Sequence, residues 1–475
     1  MTVGPGQTLD VPVVTFAAWR PELVLAATLV LGLLAGARAR RHVQFAVVAG
    51  LVVAAVLAAI DQDGGGPAGR PSHPLGAHFV VDGPAALARL ALTALAALVA
   101  GVLPRGQHRS ATMLVAATLG LVWLTEATTA AAVLLAVGTA VVGGSMSAWF
   151  AASGGQRRAV RRWHLTAALG FAVLAYGLAL WSGLAGTLEF GEAAANLAAR
   201  PSLPPLALPL VLSCLGVGLV LSLLGEPGRF QDGDLEVVPA ALTGWLTVAP
   251  LVGLVVLVHR LVPATDSAAP AVSDFMGALA AVLVIGGFLA AAVQSRLQRR
   301  LAWAAAGQVG LALLGHAAAS SGGGLAISMR CVLTFAPAQL GAVLLSGAIA
   351  GPGHVGLRRG ALPVLLAGFL VSLAAVPPLA GWRPRFELLQ ALVAGDRYLL
   401  GGVAAAGTLF GCVVYLRPLV GLWRGHAEPP PLDEAAPAAP AGAGSLAVTS
   451  LVAAALFAIV LAWGAGLLRP GWYLD

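Results

Sequence analysis

The sequence predicts an all-α polytopic membrane protein of about fourteen transmembrane helices. Of its 475 residues, 59% are apolar and only 10% charged, whereas a soluble chain carries roughly a quarter charged residues. The mean hydropathy is +0.89, and apolar runs of about 20 residues, enough to cross a bilayer, recur along the whole chain. Together these observations exclude a soluble globular enzyme.

Apolar continuity and punctuation by Gly, Pro and Arg place the spans near 21–37, 43–60, 85–104, 111–127, 130–152, 163–184 and 205–224, then 238–259, 274–294, 301–319, 325–348, 361–395, 398–423 and 446–468. The stretch 61–83, with Gly64–Gly66, Pro67 and Pro71, reads as a polar loop without a chemical motif. Residues 427–443 read as a Pro/Ala-rich linker unable to build a core. The N-terminus lacks the basic region and short apolar core of a signal peptide, so Met1 is expected to begin the mature protein.

The net charge of +7 comes from 27 basic residues, all of them arginine. The arginines read as topology signals scattered through short loops, a pattern unlike a nucleic-acid footprint. Alternate loops hold Arg38/Arg40/Arg41, Arg105/Arg109, Arg157/Arg158/Arg161, Arg229, Arg296/Arg299/Arg300, Arg358/Arg359 and Arg424. The opposite set holds at most one each: Arg20, Arg70, Arg200, Arg260, Arg397 and Arg469. The positive-inside rule makes the first set cytoplasmic and puts both termini outside.

Cys214, Cys331 and Cys412 stand alone in apolar segments, without metal or cluster spacing, and read as small packing residues. His164, His259 and His316 lie on different spans without paired spacing, which argues against haem and for core or interfacial histidines.

Several spans carry breakers. Glu226-Pro227-Gly228 ends the seventh, Pro377-Pro378 with Gly381 and Pro384 interrupts the twelfth, and Pro250 and Pro337 fall within the eighth and eleventh. Proline removes a ladder hydrogen bond, and in lipid the freed groups must face protein or a wet cavity. Broken helices in corresponding places of two halves point to a transporter of inverted repeats. Simple kinks between packed helices are the alternative.

Five segments in chain order carry a resemblance. Ser372-Leu373-Ala374-Ala375-Val376-Pro377-Pro378-Leu379-Ala380-Gly381-Trp382 with Arg385-Phe386 resembles the SLAGIPPLAGFxxKF motif of antiporter-like membrane subunits of NADH–quinone oxidoreductase (complex I), subunit N above all. Arg300-Leu301-Ala302-Trp303 with Gln308-Val309-Gly310 resembles KRLLAYSSIAHxGY, and Tyr176-Gly177-Leu178-Ala179-Leu180 resembles LYGxAL. Val414-Tyr415-Leu416-Arg417 resembles YYYLR, and Trp19-Arg20-Pro21-Glu22-Leu23 resembles the N-terminal PEL start. The resemblance spans nearly the whole chain and lacks the long lateral helix of subunit L.

It implies two inverted five-helix units after an N-terminal three-helix segment: 1–110, then 111–260, 261–424, and a linker with a final helix at 425–475. It also implies a proton path of ionisable groups at mid-membrane depth. At the family's relay positions this chain departs. The glutamate of helix five falls on Gly138 and the lysine of helix six on Arg162. The helix-seven lysine falls on Ser222, with Pro227 fitting the proline that follows it. The helix-eight lysine falls at Leu251, the helix-ten histidine on Gln308, and the helix-twelve lysine on Arg385. None of these replacements exchanges a proton near neutral pH.

Three further polar residues stand out. Glu126, at the end of the fourth span, reads either as a rerouted proton group or as an interfacial carboxylate. Arg330, within the eleventh, must snorkel or meet a carboxylate, for which Glu387 is the candidate. The chain has no flavin, nicotinamide or cluster motif, so no cofactor and no catalysis of its own is expected. The expectation is a membrane-arm subunit of a complex I-like assembly in the bacterial cytoplasmic (inner) membrane, structural or coupling, with other membrane-arm subunits and lipid as partners. The alternatives are a cation/proton antiporter, or a membrane subunit of a related hydrogenase or inorganic-carbon uptake complex.

Overall fold

A computed structural model of the chain describes residues 19–35, 40–64, 73–74, 78–104, 106–152, 157–198, 209, 212–213, 216, 240–261, 270–318, 323–350, 361–424 and 443–464. Cys214, Ser222, Pro227 and residues 427–442 of the expected linker lie outside these residues.

The first half contains α1 (Arg20–Ala35), α2 (Arg40–Gly64), α3 (Gly83–Val102), α4 (His108–Glu126), α5 (Ala130–Ala151), α6 (Arg157–Ala185) and the short α7 (Phe190–Ala198). The second contains α8 (Ala240–Leu261), α9 (Pro270–Ala292), α10 (Leu297–Ala318), α11 (Gly323–Ala350), α12 (Ala361–Leu373), α13 (Trp382–Ala394), α14 (Tyr398–Arg424) and α15 (Ala443–Gly464). Among the described residues nine helices are long and apolar enough to cross a membrane, and two shorter apolar helices lie in α12 and α15. The chain is a polytopic membrane protein built from helices.

Lipid is as apolar as leucine, so close packing takes over from hydrophobic burial as the force between the helices. Gly120 of α4 meets the backbone of Ala136 and Ala140 of α5, and Gly143 of α5 meets that of Ala117 of α4. Gly287 of α9 and Gly307 of α10 repeat the arrangement, as does Gly310 against Ala280. A methyl group at any of these contacts would lie under 3.0 Å from its neighbour, so these glycines let two backbones touch. At the centre sits α8, packed against α3, α4, α10 and α11. Every residue from Ala241 to Val258 is buried. Outward faces carry Leu31, Leu34, Phe45, Val282, Val293, Leu399 and Leu409, suited to lipid or neighbouring subunits.

One end of the bundle is closed by irregular chain. Antiparallel bridges join Phe79 to Ala127 and Thr129 to Glu189, tied by Val80 N–H to Glu126 O at 2.8 Å and Phe190 N–H to Thr128 O at 3.0 Å. Trp19, Phe79 and Trp123 pack ring against ring beneath it.

The structure corrects four expectations. First, α8 and α11 run unbroken through Pro250 and Pro337, because one missing donor in a fully packed helix does not force a bend. Second, the 61–83 stretch is not chemically silent: α2 continues to Gly64, and Asp82 caps α3, accepting from Ala85 N–H at 2.9 Å. Third, Arg89, given no place among the loop or span arginines by the sequence, is buried within α3. Fourth, α7 is a short helix outside every expected span.

Candidate functional site

Two buried polar centres stand out. The first lies under the capped end, where α1 and α3 begin and α2, α4 and α8 finish. Arg89, two turns into α3, is 1% exposed and donates to Glu22 Oε1 at 3.1 Å. Its other amino group lies 3.6 Å from Asp61 Oδ2 of α2, and Nη1 lies 3.8 Å from Glu126 Oε1 of α4. Arg260, in the last turn of α8, donates to Asp82 Oδ2 at 3.1 Å and to Thr125 O at 2.9 Å. Arg20 adds a pair with Asp61 at 2.7 Å.

Helix dipoles explain the placement. Asp61 and Glu126 sit at helix C-termini, where a negative charge is disfavoured, and Arg89 and Arg260 offset it from the neighbouring helices. Glu22 in the first turn of α1 faces a favourable dipole. The fully buried Glu126 has no hydrogen-bond donor to either carboxylate oxygen among the described residues. It lies 3.8 Å from Arg89 Nη1, buried in the cluster. Beside this cluster His259 and His316 stack, ring centroids 6.2 Å apart; sequence spacing gave no sign of that pairing. His164 instead meets Ser145 Oγ at 2.8 Å.

The second centre is the break between α12 and α13. Ala375 adopts φ 59 and the Pro377-Pro378 bond is cis. A Cβ at Gly381 would lie 2.1 Å from Ser372 O, so the chain can return here only through glycine. The ending helix frees carbonyls, and side chains collect them: Arg385 Nη2 donates to Leu373 O at 3.0 Å, and Cys412 Sγ donates to Ala374 O at 2.8 Å. Arg385 Nη2 also donates to Gln308 Oε1 at 2.7 Å, while Gln308 Nε2 reaches Tyr415 Oη at 3.1 Å. On the rim Arg330 donates to Glu387 at 3.0 Å, and Arg383 holds the other carboxylate oxygen at 3.1 Å.

Of the relay positions among the described residues, the structure brings Gln308 and Arg385 together and leaves Gly138, Arg162 and Leu251 apart. Leu251 is packed in the apolar core of α8. Gly138 faces the Phe171 ring of α6. Arg162 lies exposed on α6. Sequence reading missed Arg89, Asp61 and Asp82 as site residues. One signal for Arg89 was present: a charged residue six places into an apolar 20-residue helix that no loop assignment accounts for.

The transmembrane family described as NADH:quinone oxidoreductase/Mrp antiporter matches residues 147–411, more than half the chain. The chain belongs to this family. NADH-quinone oxidoreductase subunit N 1 of Koribacter versatilis is 28% identical over 282 residues, covering 54% of this chain and 54% of the relative; the chain thus matches about half the length of that protein. Subunit N of Desulfovibrio desulfuricans is 28% identical over 440 residues, covering 84% of this chain and 85% of the relative. Among solved structures, a chain of respiratory complex I from Thermus thermophilus superposes with a TM-score of 0.73 at 20% identity, covering 95% of this chain and all of that one. That likeness extends the NADH:quinone oxidoreductase/Mrp antiporter fold over nearly the whole molecule.

Proposed function

We propose that the chain is a membrane-arm subunit of a complex I-like proton-translocating assembly that provides scaffold and coupling without conducting protons itself. The observation that carries this reading is α8: between the capped cluster and the broken helix, Trp245–Val258 is buried and contains nothing ionisable. Arg385 remains charged at any working pH and is a fixed charge, not a relay. Lysine there could lose its proton; arginine cannot.

The same reading places the chain in the bacterial cytoplasmic membrane, with fourteen spans, both termini outside, and inverted five-helix units at 111–260 and 261–424. The matched glycine contacts of α4–α5 and α9–α10 support the repeat. The topology is testable with single cysteines at Ala436 and Ser267, in a background where Cys214, Cys331 and Cys412 are serine. They should label from opposite sides of a sealed vesicle; labelling from one side would contradict the span count.

Purification in mild detergent tests the assembly. Further membrane-arm subunits and a redox arm are expected to accompany the chain. A soluble carbonic-anhydrase-like partner in their place would assign it to an inorganic-carbon uptake complex.

A further inference from the structure

The break between α12 and α13 also exposes a charge where the bilayer is most apolar. Arg385 hydrogen-bonds Gln308, which sits midway along α10, a helix long enough to cross the membrane. Arg383, at the start of α13, lies at the same mid-depth. From Arg383 to Ala394 the helix rises about 16 Å at ~1.5 Å per residue, which is half of a ~30 Å hydrocarbon core. Yet the Arg383 side chain is 54% exposed. Its Nε donates to Glu387 Oε1 at 3.1 Å, and among the described residues its two amino groups meet no acceptor. Glu387 is shared with Arg330, and Arg385 behind it has only neutral acceptors among the described residues, so three guanidiniums surround one carboxylate. Phe386, Gln390 and Val393 continue the exposed stripe along α13. The outward face of α9 at this depth is different and carries Val282, Ile285 and Leu289.

We propose that this face of α13 is a protein–protein interface within the bilayer, covered by a transmembrane helix of another polypeptide that sets a carboxylate against Arg383 at mid-depth. Lipid does not suit the face. Acyl chains offer no acceptor, an uncompensated arginine at the bilayer centre is costly, and the headgroups lie further away than its side chain reaches. A carbonyl or hydroxyl acceptor would satisfy the N–H groups but leave the excess positive charge uncompensated, whereas a carboxylate meets both needs. The neighbour is not a second copy, because among the described residues the carboxylates other than Glu387 lie near helix ends or between helices. Phe386 and Val393 supply apolar contact around the charge pair. The proposal rests on the reading of the chain as a subunit of an assembly, and adds which face meets a neighbour and through what chemistry.

The test is photocross-linking in native membranes with the full chain carrying Phe386→p-benzoylphenylalanine, followed by mass spectrometry of the adduct. The expected adduct joins this position to one other polypeptide, within a transmembrane segment that contains Asp or Glu. Arg383→Glu should then lower co-purification of that polypeptide at least about tenfold, through like-charge repulsion. Exchanging the neighbour's carboxylate for arginine in the same cells should restore it, which a misfolded variant would not allow. An adduct with lipid alone or with a second copy would overturn the proposal. So would labelling of Gln390→Cys, in the background without native cysteines, by a membrane-impermeant thiol reagent, because the face would then line water. In each of these cases other subunits that still co-purify with the chain would leave its place in an assembly standing; a chain that purifies alone from mild detergent would overturn both.

Discussion

Arg89→Gln is expected to destabilise the bundle by about 3–5 kcal/mol, the range for removing one partner of a buried ion pair. Arg89 faces Glu22, Asp61 and Glu126, each from a different helix. Without it, Glu22 and Glu126 are left as buried carboxylates in a low-dielectric end of the bundle, and Asp61 keeps only Arg20. The loss should appear as early thermal unfolding of the detergent-purified protein, followed by tryptophan fluorescence. Adding Glu22→Gln to Arg89→Gln removes one of the stranded charges, so the double variant should recover part of the loss and show strong coupling between the sites. Arg89→Lys should fall between wild type and Arg89→Gln, because an ammonium retains the charge but cannot bridge three carboxylates. Wild-type melting in Arg89→Gln would mean that the cluster is solvated and contributes nothing.

Gly381→Ala should disrupt the broken helix. The added methyl would lie 2.1 Å from Ser372 O, a backbone atom in the last turn of α12 that cannot rotate away. Overpacking of this kind costs about 1–3 kcal/mol or more, and here it also displaces the α13 segment carrying Arg385 and Glu387. Gly402→Ala is the control, because nothing lies within 4 Å of the position its methyl would take. Size-exclusion chromatography of the two variants should show loss of monodisperse protein for Gly381→Ala alone. Equal behaviour of the two would rule out the close approach at Ser372.

How much of this was legible in the sequence depends on the range of the interaction. Helix positions follow from local apolar continuity, and the break after Leu373 follows from Pro377, Pro378 and Gly381, so both could be read from short windows. The Arg330–Glu387 pair was also accessible, since a charge within an apolar span must find an opposite charge and few are available. The Glu22–Arg89–Glu126 cluster was not. Its members come from three helices, and Arg89 hides among arginines whose loop positions make them look like topology markers. The strand-like bridges over the cluster involve Phe79, Ala127, Thr129 and Glu189; no period of 2 or 3.6 marks them, because each pairing is a single residue long. Arg162 is a different case: counting from a motif fixes a position along a helix and leaves open which way that position faces, which is exposed here.

The central claim is that the chain does not conduct protons by itself, because the buried apolar α8 separates its two polar centres. The most direct measurement is proton flux into vesicles containing the purified subunit alone, under an imposed membrane potential. No flux above empty vesicles is the expected result. A clear flux that disappears in Glu126→Gln or Glu387→Gln would contradict it and make the chain a rewired proton carrier.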